Sequence, residues 1–419
     1  MTDKTMPALR FRGFYDAWEQ RKFSEILEYS ISNNTLSRAN LNYDEGAVKN
    51  IHYGDILVKF GSIVDVNQPN VPYVTNGKPS DFTSQLLQNG DVIVADTAED
   101  ETTGKAIEVT GITDNYAVSG LHTMVARPNV EFARKYLGYY LNSPSYHNAL
   151  LPLMQGIKVL SLSKANIAKT VVRFPKDVKE QANIGIFFKQ LDNLITQNEH
   201  KLNLLKQLKQ AYLQKIFSQE LRFAGFSGTW EQRKLGKIGN TFNGLTGKTK
   251  EDFGHGDAKF VTYLNVFQNE LATLKQLDSV EIDERQNQVQ KGDVFFTTSS
   301  ETPEEVGMSS VWTYDIKNIY LNSFTFGYRP TVELDLEYLA TMLRSPSVRK
   351  KITFLAQGIS RYNISKSKMM KIEVPIPNIF EQENIGSLFK QLDNLITLNQ
   401  QKVNLLKKQK QAYLQKMFN

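Results

Sequence analysis

The sequence predicts an α+β fold made of two tandem pseudo-repeats, each a mixed α/β domain followed by one long helix. Three observations predict it: a duplicated helical block, a second duplicated block ahead of each globular segment, and short β-rich runs between the blocks. At 419 residues the chain is also too long for one ordinary hydrophobic core. We therefore expect two globular domains and two long helices that pair as an antiparallel coiled coil.

The clearest duplication relates residues 180–217 to residues 381–418, which are identical at 28 of 38 positions when aligned without a gap. Upstream, LRFRGFYDAWEQRK at 9–22 matches LRFAGFSGTWEQRK at 221–234. The globular segments between these blocks have diverged and keep only short echoes. The helices therefore share one task, while the globular segments have different ones. The predicted boundaries are 1–176 for the first domain, 177–220 for the central helix, 221–377 for the second domain and 378–419 for the C-terminal helix.

The globular segments contain short β-rich runs punctuated by glycine. These runs are GDILVKFG (54–61), GDVIVAD (90–96), KFVTYLNVF (259–267) and GDVFFTTSS (292–300). Helical signals lie near 131–150 and 333–351. Alternation of the two signals predicts a mixed α/β domain in each unit.

The two long helices are predicted from their starts and from their heptad pattern. A capping box is expected from Asp177 with Glu180, and again from Asn378 with Glu381. In the central helix the predicted seam consists of Phe188, Leu191, Ile195, Asn198, Leu202, Leu205, Lys209, Tyr212 and Ile216. In the C-terminal helix it consists of Phe389, Leu392, Ile396, Asn399, Val403, Leu406, Lys410, Tyr413 and Met417. Asn198 and Asn399 occupy matching seam positions, where an asparagine commonly fixes coiled-coil register. Mutual antiparallel pairing would place the two domains at opposite ends of a rod; the alternative is that each helix packs only on its own domain.

Composition excludes several classes of site. There are no cysteines, so disulfides, iron–sulfur clusters and thiolate metal sites are excluded. The N-terminal sequence has no apolar signal region and no stretch approaches the length of a membrane span, so we expect a cytoplasmic protein without membrane contact. The net charge of +6 and a pI near 9.0 favour an anionic partner mildly.

The repeated elements together resemble one known family. The WEQRK blocks at 18–22 and 230–234, and the strand–Pro–EQ–helix junctions at 175–181 and 377–382, are arranged as in the specificity subunit of type I restriction–modification enzymes. The resemblance covers the full chain, although the N-terminal conserved stretch is short and is expected only to tie the chain ends together.

This resemblance implies a function and a set of partners. Each variable domain would be a target-recognition domain that reads one half of a bipartite, asymmetric site on double-stranded DNA. The conserved helices would dock two methyltransferase subunits, and a fuller complex would add two restriction (motor–nuclease) subunits. S-adenosylmethionine, ATP and Mg²⁺ would belong to those partners, and this chain would bind no cofactor.

Catalytic motifs are not found in the sequence. A base-amino methyltransferase needs an Asn/Asp-Pro-Pro-aromatic motif, and the chain has no Pro-Pro pair. GLTGKT at 244–249 lacks the first glycine of a phosphate-binding loop because Phe242 occupies that position. A basic turn with Lys248 or Lys250 on DNA phosphate is favoured over a phosphate-binding loop, and a solvated loop is favoured over both. Asp293, Asp315 and Lys317 fit a permissive nuclease pattern, but Thr113 replaces the second acid in the first unit. We predict no catalytic or metal-binding residues; the alternatives are a nuclease or methyltransferase in its own right, and a coiled-coil adaptor that binds only proteins.

Candidate DNA contacts come from matching positions in the two units. Arg127 aligns with Arg329, and Lys164 aligns with Lys366. Side chains shared by both units suit phosphate contacts that position the protein on the DNA. Gln155 and Gln357 begin matching QGI loops, and a glutamine amide can pair bidentately with adenine. The predicted contacts in these loops also include Lys158 and Arg361, which do not align, as expected of side chains that discriminate between sequences.

Overall fold

The computed structural model describes residues 6–419, which form two compact units. The first unit contains the described residues up to Glu199 together with Gln401–Asn419, and the second contains His200–Gln400. The first five residues of the predicted first domain lie outside the described part of the chain. Among residues 6–419, no helix is long and apolar enough to cross a membrane.

The first unit is built on a five-stranded and a four-stranded sheet, with two small ribbons. The five-stranded sheet has the order Leu27–Glu28, Thr123–Pro128, Val92–Ala95, Ala106–Thr110, Ile63–Asp65. The four-stranded sheet has the order Tyr116–Ser119, Val48–Ile51, Tyr73–Val74, Leu41–Asn42. The ribbons pair Glu19–Lys22 with Val171–Phe174, and Leu160–Ser161 with Thr97–Ala98.

The second unit has the same design with fewer strands. Its main sheet has the order Gly239–Asn243, Thr325–Pro330, Val294–Thr297, Ser309–Val311. A three-stranded sheet has the order Leu277–Val280, Phe253–Val261, Ile319–Leu321. The ribbons pair Glu231–Lys234 with Glu373–Ile376, and Ser299–Ser300 with Tyr362–Asn363. Four strands of the main sheet therefore follow the same order in both units, and the two units share one framework.

Short α-helices pack on these sheets. In the first unit they are Phe23–Ile26, Tyr53–Val58, Tyr136–Leu141, Pro144–Leu150 and Lys164–Ile167. In the second they are Tyr263–Gln268, Leu336–Arg344, Pro346–Phe354 and Lys366–Met369. The helical signals near 131–150 and 333–351 are confirmed, but a Ser–Pro step divides each into two helices because proline at the first helical position starts a new one.

Two of the predicted β-rich runs are wrong in whole or in part. The GDILVKFG run lies mostly in the helix Tyr53–Val58, and the second half of KFVTYLNVF lies in the helix Tyr263–Gln268. In each case the preceding residue caps the helix: His52 Nδ1 accepts from the Gly54 N–H at 3.1 Å, and Thr262 Oγ1 accepts from the Asn265 N–H at 3.2 Å. These caps outweigh the β-branched content of the runs. The GDVIVAD and GDVFFTTSS runs are strands, as predicted.

The central helix, Val178–Phe217, and the C-terminal helix, Ile379–Phe418, are each 40 residues long. Every residue of the two predicted seams is buried or half-buried. In the first unit, the start of the central helix contacts the end of the C-terminal helix. Phe188 stacks on Phe418 with ring centroids 5.6 Å apart, and Lys410 Nζ lies 2.5 Å from Asp192 Oδ1. Residue numbers rise along one segment as they fall along the other, so these two segments run antiparallel.

The second unit repeats these contacts with the helices exchanged. Phe217, at the end of the central helix, stacks on Phe389 near the start of the C-terminal helix, with ring centroids 6.4 Å apart. Lys209 Nζ lies 2.7 Å from Asp393 Oδ1. Lys209 and Lys410 were predicted at seam positions, and each reaches an aspartate on the facing helix segment. The apolar core of each unit therefore includes the start of one long helix and the end of the other.

The expected capping boxes are confirmed for the two capping residues and wrong for the two glutamates. Asp177 Oδ1 accepts from the Lys179 N–H at 2.7 Å and Asn378 Oδ1 from the Glu381 N–H at 3.0 Å, so both caps are present. The glutamates, however, do not complete a box. Both oxygens of Glu180 accept from Arg10, at 2.6 and 2.7 Å, because the duplicated N-terminal block brings an arginine to this buried carboxylate. Arg222 binds Glu381 in the same way in the second unit.

The glutamine of each EQ pair joins the helix to the domain before it. Gln181 Oε1 accepts from the Ala133 N–H at 2.9 Å, and its Nε2 donates to the Pro175 carbonyl at 2.8 Å. Gln382 makes the same two bonds, to the Asp335 N–H and the Pro377 carbonyl. A buried amide with both ends satisfied fixes the direction in which the long helix leaves its domain.

The N-terminal stretch contacts the end of the chain within the first unit. The Ala8 N–H donates to the Asn419 carbonyl at 3.1 Å, and the Leu9 N–H donates to the Lys416 carbonyl at 3.0 Å. Trp18 packs edge-on against Phe418. The expectation that this short stretch ties the chain ends together is confirmed.

Candidate DNA-recognition surface

The QGI sequences form the tips of two matching hairpins. Gln155 and Ser161 exchange backbone hydrogen bonds of 3.0 and 2.8 Å, and Gln357 and Asn363 do the same with the same lengths. The glycine after each glutamine has a positive φ, +122° at Gly156 and +144° in its counterpart. A Cβ on Gly156 would collide with a carbonyl oxygen across the loop, so only glycine fits the turn. The loop shape is therefore the same in both units.

The hairpin tips are open to solvent. Each residue from Gln155 to Val159, and from Gln357 to Arg361, is exposed. The predicted contacts Gln155, Lys158, Gln357 and Arg361 therefore lie together in pairs, two on each tip. Their backbone is fixed by the bridge while their side chains are free to reach a partner.

Lys164 and Lys366 lie just after the hairpins, at the first position of matching short helices. The Lys164 Nζ is 5.4 Å from the Tyr29 ring centroid, and the Lys366 Nζ is 5.7 Å from that of Phe326. Lys366 also donates to Asn243 Oδ1. Lys164 is exposed and Lys366 half-buried. A phosphate contact by either lysine stays a prediction.

Arg127 and Arg329 make strong contacts inside their own units. Arg127 Nε and Nη2 donate to the two oxygens of Asp91 at 2.8 and 2.7 Å, and Arg329 binds Asp293 with the same two distances. Both aspartates are fully buried, and these hydrogen bonds raise the pKa of each arginine. An intramolecular contact of this kind holds the sheet to the preceding loop. DNA contact by the two arginines stays a prediction. In each guanidinium group, Nε and Nη2 donate in these bonds and Nη1 does not.

The groove beside Arg127 contains a second buried carboxylate. Glu108 accepts backbone hydrogen bonds from Lys135 at 2.5 Å and from Gly138 at 3.0 Å. Burial raises its pKa to about 7. In the second unit Val311 takes the register position of Glu108, so this acid has no counterpart there.

The basic turn at Lys248 and Lys250 divides into two roles. Lys248 Nζ lies 3.1 Å from Asp283 Oδ2 and its side chain is only 12% exposed, so its charge is balanced within the unit. Arg285 and Lys248 together hold the pKa of Asp283 well below its ordinary value. Lys250 is exposed. Of the two predicted phosphate contacts, Lys250 is the one left accessible.

Asn198 and Asn399 are buried, with 6% and 8% exposure. The Asn198 Nδ2 donates to the Leu194 carbonyl at 2.6 Å, and the Asn399 Nδ2 to the Leu395 carbonyl at 2.7 Å. Each amide is thus satisfied by its own helix, one turn earlier. Their role in coiled-coil register stays a prediction.

Together, the fold and the exposed hairpins define a two-domain chain with duplicated helices and two divergent loop surfaces. The family model described as the type I restriction modification DNA specificity domain matches residues 15–207 and 227–408. These two matches cover most of the chain, so the chain belongs to this family of DNA sequence-recognition subunits, with one target-recognition domain in each match.

Individual relatives agree with this family. The chain is 23% identical over 424 residues to the putative type I restriction enzyme MjaX specificity subunit of Methanocaldococcus jannaschii, covering 95% of this chain and 92% of that one. In fold it is similar to the type I restriction–modification S subunit of M. genitalium, with a TM-score of 0.59, 14% identity and 99% of both chains covered. It is also similar to a chain from a study of complex assembly and conformational transition of the type I R-M system, with a TM-score of 0.57 and 17% identity. That similarity covers 96% of this chain and 97% of the other.

Proposed function

We propose that this chain reads a bipartite, asymmetric site on double-stranded DNA, with one target-recognition domain for each half-site. The observation that carries the proposal is one framework with two different loop surfaces. The two main sheets share a strand order, the EQ junctions make the same hydrogen bonds, and the hairpins have the same bridges. The exposed residues that follow each QGI differ. Two similar bodies with different contact residues suit two half-sites of different sequence.

The long helices are proposed to dock two methyltransferase subunits. Both helices carry exposed leucines outside the seam at equivalent positions: Leu194 matches Leu395, and Leu204 matches Leu405, with exposures of 40 to 56%. Repeated apolar positions on duplicated helices suit two copies of one partner. Two restriction subunits would complete the larger assembly, as the family resemblance implies.

Catalysis is proposed to reside entirely in the partners. S-adenosylmethionine, ATP and Mg²⁺ would be bound by methyltransferase and restriction subunits, and none by this chain. Within residues 6–419, no group of three or more histidine, aspartate or glutamate side chains is placed to hold a metal ion. The position of the nuclease-like Asp293 supports the same assignment, because its carboxylate is buried and bound to Arg329.

Co-purified chain and methyltransferase partner should test this function directly. DNA affinity measured between 50 and 200 mM salt should fall steeply for the complex, since phosphate contacts release counterions. The isolated chain, given S-adenosylmethionine or Mg²⁺ and ATP, should neither methylate nor cleave DNA. Turnover by the isolated chain would establish the rival enzyme function, and a complex without DNA affinity would favour a protein-only adaptor.

A further inference from the structure

An open groove lies on the second unit beside the helix Pro346–Phe354. It encloses about 640 Å³, and Leu355 and Ile372 contribute to its apolar lining. Phe354, the last residue of the helix, also lines the groove and is 88% exposed. Cavities that hold ligands have volumes of about 300–1,000 Å³. The groove is therefore large enough to receive a bulky apolar side chain next to Phe354.

One face of this helix carries both the exposed ring and positive charge. Lys350 and Lys351 precede Phe354 by four and three residues, a spacing that places all three on one side of the helix. All three line the groove. Arg349 lies on a different face, because its guanidinium donates to three backbone carbonyls of residues 304–307. In the described part of the chain, no residue of that acidic loop lines the groove.

Two more lysines line the groove from the following segment. Lys368 lies in a short helix after the hairpin, and Lys371 follows that helix. Lys351 donates to the Glu373 backbone carbonyl at 2.7 Å. The Nζ atoms of the other three groove lysines have no hydrogen-bond or ion-pair partner within residues 6–419. Glu373 is the one acid in the lining, so positive charge predominates there.

The first unit has a smaller groove at the matching place, of about 370 Å³. The two segments align without a gap from the Ser–Pro step to the last strand of each unit. In the first unit Pro152 aligns with Phe354, Ala149 with Lys351, and Asn166 with Lys368. Lys169 and Arg173 are the basic residues that line this smaller groove. A partner that needs the exposed ring and the additional lysines therefore fits the second unit and not the first.

The chemistry of the groove favours an acidic protein segment over DNA. Lysine contacts with phosphate position a protein without reading sequence, so they are expected in both units, whereas this set of residues is not shared. Duplex phosphates also present no bulky apolar group to cover Phe354. An amphipathic helix can do both, because its apolar residues fill a hydrophobic groove while carboxylates beside them reach lysines on either side.

We propose that this groove docks an acidic, amphipathic helical segment of a partner protein, in one copy per chain. An apolar side chain of the partner covers Phe354, and the partner's carboxylates pair with the groove lysines. The inference goes beyond the proposed function, because it concerns a protein contact that neither the half-sites nor the duplicated helices supply. It gives a chain built from two similar units one site that is not repeated.

The test uses the full chain and a fluorescent peptide of about 15 residues, with glutamates and leucines on opposite faces of a helix. Fluorescence anisotropy should show one bound peptide per chain. Phe354→Ala should weaken binding roughly ten- to hundredfold, as expected for a phenylalanine that is buried on binding. Combining Lys351→Ala with Lys368→Asn, which introduces the first unit's residues, should weaken binding roughly two- to tenfold at low salt and reduce its salt dependence.

Matched controls separate docking in the groove from general attraction. Phe324→Ala should leave binding unchanged, because this ring is 66% exposed in the same unit but does not line the groove. A peptide with serines in place of its leucines should bind at least about tenfold more weakly. In the complex with the methyltransferase partner, Phe354→Ala should leave the methylation rate of the mapped site unchanged.

Four results would overturn the inference. The first two are no binding of the acidic peptide, and equal binding of the peptide without leucines. The third is unchanged peptide binding by Phe354→Ala, or two peptides bound per chain. The fourth is displacement of the peptide by duplex or single-stranded DNA, or reduced methylation by Phe354→Ala, since either would identify the groove as a DNA contact.

Discussion

The ion pair between Arg10 and Glu180 is expected to be essential for the first unit. Its two hydrogen bonds are 2.6 and 2.7 Å long, and the Glu180 side chain is only 1% exposed. Arg10→Ala would leave a buried carboxylate without its cation. Breaking a buried pair from one side costs about 3–5 kcal/mol, whereas an exposed pair contributes about 0–1 kcal/mol.

The second unit provides an internal comparison. Arg222 binds Glu381 in the same way, but Glu381 also accepts from Trp230 Nε1 at 3.1 Å. The corresponding Trp18 Nε1 has no hydrogen-bond partner among the described residues. Arg222→Ala should therefore destabilise the second unit less than Arg10→Ala destabilises the first.

Hydrogen exchange measured by mass spectrometry can follow each unit separately. After Arg10→Ala, amides of residues 178–190 should lose protection more than amides of 379–391 do after Arg222→Ala. Urea unfolding should show the corresponding loss of stability. Combining Arg10→Met with Glu180→Met should restore most of the loss, because no unpaired charge remains buried. A cost below about 1 kcal/mol for Arg10→Ala, or no recovery in the double variant, would refute this reasoning.

Three further outcomes are expected. Because burial raises the pKa of Glu108 from 4.5 to about 7, the folded protein holds a proton that the unfolded chain releases. The free energy of unfolding should therefore fall by about 3 kcal/mol as pH rises from 4.5 to 7, at about 1.36 kcal/mol per pKa unit. Glu108→Gln should flatten this pH dependence, whereas the control Glu131→Gln, at an exposed position, should keep it. A slope unchanged by Glu108→Gln would contradict the assignment. Replacing Asn198 and Asn399 together with leucine should raise the melting temperature or loosen helix register, since each amide is buried, and no effect on either would contradict a role in register. Inserting one heptad into both long helices keeps the seam but adds about 10 Å to each, so methylation mapping should show a changed gap between half-sites or lost activity, and an unaltered gap would exclude the helices as the spacer.

Much of the fold follows from repetition and periodicity in the sequence. The duplicated blocks predict two units, and the 3.5-residue seam predicts which helix residues are buried, down to Lys209 and Lys410. Proline and the EQ pair predict where each long helix starts. These features depend on residues close in sequence, or on a comparison of one half of the chain with the other, and so they are visible without coordinates.

Contacts between distant residues were not predictable in the same way. Asp91 and Arg127 are 36 residues apart, and nothing local indicates that the arginine pairs with a buried aspartate. Glu180 was expected to cap its own helix, but Arg10 binds it from 170 residues away. The helix at 53–58 contains a run typical of a strand, and its cap, His52, is not among the usual capping residues. In each case a tertiary or side-chain contact outweighs the local pattern.

The exposed hairpins were only partly anticipated. The QGI echo identified Gln155 and Gln357, and charge identified Lys158 and Arg361. The isoleucines between them, Ile157 and Ile359, are almost fully exposed, although aliphatic residues are among those most often buried. Their exposure is visible only in the structure, although their repetition in both units was a signal in the sequence.

The most direct measurement for the central claim is methylation mapping in a genome that expresses the chain with its methyltransferase partner, before and after domain exchange. Residues 236–375 would be replaced by the same region of a relative that recognises a different site. One domain per half-site predicts that one half-site changes to that of the relative, while the other half-site and the gap between them stay the same. A change in both half-sites, or in neither, would contradict the account.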